Sequence, residues 1–192
     1  MKTVFDTREY LDKAWDIAET ISINSDNESR FKGSMLYSAL NVCDAMQLLV
    51  QKRNFVSANI LFRSLFEYLF RSYWLCKVAS PSEIDSALNT DKWPNTKAMH
   101  LSLEGKNELI DLIASEKLKI NNILHSYIHA GNQNPLSNFS PENMISPNIP
   151  DTEVNYLLNM VKVISFIILL EMANMAQSEE AKRKVMNLYA DL

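Results

Sequence analysis

An all-α, single-domain helical bundle is the fold this chain predicts, and three observations carry that prediction. Its 192 residues include only three glycines, while helix formers such as Leu, Ala, Met, Glu and Lys are plentiful. Apolar residues recur at spacings of three and four along most of the sequence. Hydrophobic residues make up 47% and charged residues 22%, an ordinary globular balance in a chain long enough for one core and short for two.

The elements follow in order. Asp6-Thr7-Arg8-Glu9 has the shape of a capping box, and Tyr10, Leu11, Ala14, Ile17, Ala18 and Ile21 follow at helical spacing. This predicts a first helix over 7–22. A polar break over 22–27 precedes a second helix from near Glu28 to Gln51, with Phe31, Met35, Ala39, Val42, Met46 and Leu49 as its apolar face. Gly33 inside it marks either close packing or a tolerated glycine. Asn54 can cap a third helix reaching about Lys77. Ser80-Pro81-Ser82-Glu83 starts a short fourth, to about Leu88. Residues 96–104 form another, ending at Gly105.

Helix then covers 107–130, with a break expected near Ser115 and Gly131 as its stop. Residues 131–150 are rich in Pro, Asn and Ser and make the one long loop. Asp151 is expected to cap a long apolar helix to about Gln177, and Ser178-Glu179-Glu180 starts a last one ending near Leu188.

Charge and composition narrow the function classes. A net charge of −4 and a pI near 5.4 give no global basic field to gather nucleic acid. The N-terminus carries no apolar signal segment, and Cys43 and Cys76 read as distant core thiols, so the cytoplasm is the expected compartment. The most apolar run, Val163 to Leu170, falls far short of the roughly 20 residues that span a bilayer, and no membrane partner is expected.

Two segments carry unusual polar groups. In Phe62 to Leu75, Arg63, Glu67 and Arg71 recur every four residues on one helix face, with Trp74 between them and apolar side chains almost all round. They form either an ion ladder or the wall of a polar cleft or dimer seam whose excess positive charge awaits an anion. In Leu124 to Gly131, His125 and His129 lie one turn apart. Such a pair could chelate a metal with Glu67 as third ligand, act on a phosphodiester beside an arginine, or hydrogen-bond within the bundle. No Cys or further His stands at ligand spacing, so no metal and no cofactor is assigned. Trp74, Tyr73, Tyr68 and Tyr127 could stack on a base, although aromatics at helical spacing are more often core.

At these residues the chain resembles an uncharacterised family of bacterial all-helical proteins, over about Ser57 to Met175. That family's first pattern stands here as Arg63-Ser64-Leu65-Phe66-Glu67 through Arg71 to Trp74-Leu75. The second stands as Leu124-His125-Ser126-Tyr127-Ile128-His129-Ala130-Gly131, with Ala130 where a glycine is more usual. The family is similar in outline to HEPN domains, helical bundles of bacterial toxin–antitoxin and phage-defence systems, whose active members dimerise and cut RNA without metal through Arg-x(4–6)-His. Here no arginine stands at that distance before His125 or His129; Arg63 or Arg71 would have to supply it across the bundle.

The resemblance implies a toxin or defence component acting on RNA or a nucleotide. In it His125 and His129 do acid–base work with Arg63, and Arg71, Glu67, Tyr127 and Trp74 bind. A homodimer is expected, with an antitoxin or other protein as a further partner. The competing expectation is a non-catalytic dimerisation or interaction module in which the same residues form a buried Arg–Glu–His network.

Overall fold

The computed structural model describes residues 2–129, 131–139 and 144–192. Among these, nine α-helices and a closing 3-10 turn make up the regular structure, with no strand beyond one isolated bridge between Phe139 and Ile145. The helices are α1 (Lys2–Ala18), α2 (Asn27–Gln51), α3 (Phe55–Lys77), α4 (Pro81–Thr90), α5 (Thr96–Leu103), α6 (Glu108–Ile128), α7 (Gln133–Leu136), α8 (Asp151–Met175) and α9 (Glu179–Leu188). The all-α expectation stands, and one hydrophobic cluster runs from α1 to α9.

Most boundaries come from caps visible in the sequence. Asp26, Asn54, Asn95, Asn107 and Ser178 each accept a hydrogen bond from a first-turn backbone N–H. Glu83 reaches back to the Ser80 N–H at 2.8 Å, closing the α4 capping box.

Four expectations change. The first helix begins at Lys2 and ends at Ala18, so Asp6 caps nothing. Thr7 is instead a buried helical residue whose hydroxyl donates to the Thr3 carbonyl at 2.7 Å. Ser115 causes no break, because it lies exposed on α6 among good helix formers. The position before α8 is held by Pro150, leaving Asp151 as the first helical residue, where its charge favours the helix dipole. The loop at 131–150 contains α7; residues 140–143 of it, and Ala130, lie outside the described residues. Gly33 resolves to close packing: a Cβ there would meet the Ile23 side chain at 2.3 Å.

The central helix is α8, surrounded by α1, α2, α3 and α9. Leu158, Val161, Ile164, Ile168, Leu169 and Ala173 are completely buried. By length and composition α8 could cross a membrane, more than its eight-residue apolar run suggests, but 78% of its most apolar window is buried inside this chain. Its apolar circumference is therefore covered by its own bundle. α3 lies between this inner layer and α6, which has α5 and α7 beside it.

One charge sits deep in this packing. Glu171 of α8 is only 4% exposed, and its carboxylate meets the Lys77 ammonium at 2.8 Å. Removing one partner strands a buried charge, whereas removing both need not. Lys77→Met is expected to lower unfolding free energy by about 2–3 kcal/mol, less than a fully buried pair because Lys77 is partly exposed. Lys77→Met with Glu171→Met should recover most of that loss in urea denaturation.

Candidate functional site

Along α3 the predicted ladder exists but is loose. Arg63 Nε and Glu67 Oε1 stand 3.8 Å apart, with side chains 36% and 48% exposed. One turn on, the Arg71 guanidinium lies 4.9 Å over the Trp93 ring. Trp93 also packs on Trp74 and Phe31 and donates from its indole N–H to Asp91 at 2.8 Å. Arg71 thus helps fasten the segment after α4 onto α3. A cleft of about 450 Å³ opens there, lined by Met35, Glu67, Tyr68, Arg71, Asp91 and Trp93. It holds two carboxylates to one guanidinium, a balance that works against phosphate.

The histidines stand elsewhere. His125 lies in the last turn of α6 and His129 at its C-cap, both exposed, with ring centroids 4.2 Å apart, edge to face. The helices run antiparallel, as expected neighbours. Lys117 of α6 lies 5.1 Å over Phe70 of α3, while Ile120, Ile123 and Leu124 share a cavity with Phe55, Asn59 and Phe62. Arg63 and Glu67 consequently act on Lys117, whose pKa burial pushes down, with Glu67 opposing the shift and Arg63 reinforcing it. From Lys117 to His129 is about 18 Å along the helix. Among the described residues, none of the five clefts lined by α1 to α6 and α8 has either histidine together with Arg63, Glu67 or Arg71 in its walls. The structure therefore brings Arg63, Glu67 and Arg71 together, and His125 and His129 together, but does not join the two groups.

The remaining candidates are internal. Trp74 and Tyr127 are 2% and 3% exposed, so neither presents a face for a base to stack on. The second motif reads as a helix ending. Gly131 N–H donates to the Ser126 carbonyl at 2.7 Å, and a Cβ on Gly131 would sit 2.4 Å from the Ser126 hydroxyl. Ser126 Oγ accepts from Gln133 N–H, and Asn134 donates to the Tyr127 carbonyl at 2.9 Å. Among the described residues no three His, Cys, Asp or Glu side chains are grouped to hold a metal ion.

His100 stands far from both motifs in the sequence, yet its surroundings are unusual. Its ring packs at a tilt on Phe70, centroids 4.3 Å apart, and its Nε2 is buried without a partner. Burial, then the charge of Lys117, pushes its pKa below the ordinary 6.5. His100, Lys97, Leu101, Asp111, Lys117 and Leu118 line an open groove of about 730 Å³ between α5 and α6. No motif announced it, because it forms only when α5 folds back along α6.

Because the folded state holds His100 neutral, the protein keeps this contribution above pH 6.5 and loses it as the pH falls through the lowered folded value. His100→Leu should therefore flatten the decline in melting temperature of the parent protein as the pH falls below 6.5, read by calorimetry over a pH series.

A family profile described as a family of unknown function (DUF6988) matches residues 37–192, so the chain belongs to that family. No curated protein and no solved structure matches it.

Proposed function

We propose that this chain is a non-catalytic helical interaction module. What carries the reading is the separation just described: the arginines lie along α3, and the imidazoles stand at the far end of α6. Acid–base cleavage of a phosphodiester needs both within a few ångströms of one phosphate. The conspicuous polar residues of the two motifs also have local tasks. Arg71 clamps Trp93, Arg63 and Glu67 face Lys117, and Ser126 and Gly131 end α6. The acidic chain, with its net charge of −4, adds no field toward nucleic acid.

One observation favours a second reading. Two exposed imidazoles with centroids 4.2 Å apart are an arrangement that can pass a proton. In the HEPN-like version they would act on RNA or a nucleotide as part of a bacterial toxin or phage-defence system, with an antitoxin as partner and a phosphate-holding arginine brought by another chain.

The two readings separate in one assay. Purified protein incubated with single-stranded RNA, with and without chelator, is expected to leave it intact. Arg63→Ala and His129→Ala should each shift unfolding free energy by less than about 0.5 kcal/mol, because Arg63 is half-buried in a loose ion pair and His129 is exposed. Chelator-insensitive cleavage that His129→Ala abolishes would replace the interaction reading with the catalytic one.

A further inference from the structure

Lys117 is a half-buried cation in the middle of α6, and its side chain forms part of the wall of the α5–α6 groove. Its Nζ lies 5.1 Å over the Phe70 ring. Among the described residues it forms no ion pair. Glu116, one residue back, is taken by the Lys119 ammonium at 2.6 Å and the Tyr156 hydroxyl, and Glu67 stands by Arg63. His100 packs on the same Phe70 ring and brings no negative charge. An ammonium withdrawn from water without a carboxylate gives up its proton more readily than one in solution. Burial and the charge of Arg63 hold Lys117 below the ordinary 10.5, against the opposing pull of Glu67.

We propose that Lys117 is a reactive amine that captures an aldehyde in the α5–α6 groove as an imine. The Nζ lone pair forms the bond to the carbonyl carbon while the carbonyl π pair moves onto oxygen. The two amine protons then leave with that oxygen as water, and the C=N double bond closes. No oxidant, reductant or further co-reactant enters the step. The groove selects the aldehyde. Leu101, Ala114 and Leu118 offer apolar contact, while Lys97 is offset by Glu104 and Asp111. An uncharged aldehyde with an apolar or aromatic body is therefore the class that fits. Capture of this kind is a binding property of the groove, and it does not rest on the interaction reading.

Benzaldehyde and sodium cyanoborohydride, added to the full chain, test the proposal, with peptide mass spectrometry reading the reduced adduct at each lysine. Lys97 is exposed in the same groove and controls for access. Near pH 7, Lys117 is expected to gain adduct at least about threefold faster than Lys97, the ratio falling as the pH rises to about 11. Glu67→Gln should raise that ratio and Arg63→Gln lower it, each by roughly twofold, because the two charges act on Nζ in opposite directions. A merely accessible lysine would respond to neither. A Lys117 rate at or below that of Lys97 near pH 7, superimposed pH profiles, or a ratio that neither substitution moves would each overturn the proposal. The RNA incubation decides the interaction reading separately.

Discussion

The constraint on which the rest of the structure depends is that α8 has almost no polar face to give to water. A helix apolar on nearly every side must be surrounded, and burying each large aliphatic side chain contributes about 1.5–3 kcal/mol. α1, α2, α3 and α9 supply that cover. Burial on this scale dictates what the polar residues of α8 may do. Glu171 is buried only because Lys77 reaches it, Ser165 donates to the carbonyl one turn back, and Lys162 donates to the carbonyls of Asp191 and Leu192. With most of its apolar circumference taken up inside the bundle, the apolar composition of α8 is accounted for without a second subunit.

The same enclosure shapes α3. It packs on α2 and α8 on one side and on α5 and α6 on the other, so its polar residues are confined to a narrow strip. Residues four apart share that strip, and the recurrence of Arg63, Glu67 and Arg71 follows from this confinement as much as from any chemistry. Glu67 then answers Lys117 of α6, and Arg71 takes the Trp93 ring of the segment after α4. A recurrent motif can thus record packing around a central helix.

The fold was legible in the sequence because its determinants are local. Caps at Asn54, Ser80 and Ser178, glycines at 105 and 131, and apolar spacing all act within one or two turns. The extra turn at Lys2 was not legible, because it rests on tertiary contact: Val4 packs on the core, and its carbonyl accepts from the Gln47 amide at 3.1 Å. The candidate site was legible only as two separate helix faces. Each set of four-residue spacings was read correctly, but spacing within a helix says nothing of the axial offset between helices. The antiparallel offset of α3 and α6 decides which groups meet, and it is set by Phe62 and Phe70 seating against Leu124 and Lys117. The α5–α6 groove was invisible for the same reason, since its walls come from two elements and its most perturbed group, His100, matches no pattern.

The inner and outer layers differ in a way that bears on what the chain does. Inside, buried charge is answered and large apolar side chains are enclosed. Outside, α6 leaves Leu112, Leu118 and Ile123 exposed while Ile110, Ile113, Leu124 and Tyr127 are buried. Scattered exposed leucines are ordinary on any surface, but Leu118 of α6 and Leu101 of α5 border one groove that also holds a buried, unpartnered imidazole nitrogen. The exposed apolar surface on this side, rather than the arginines or histidines, is where the chain has physical work left undone. A nucleic acid would bring phosphates to a groove whose Lys97 and Lys117 are offset by Glu104 and Asp111, leaving no net positive charge there to hold them.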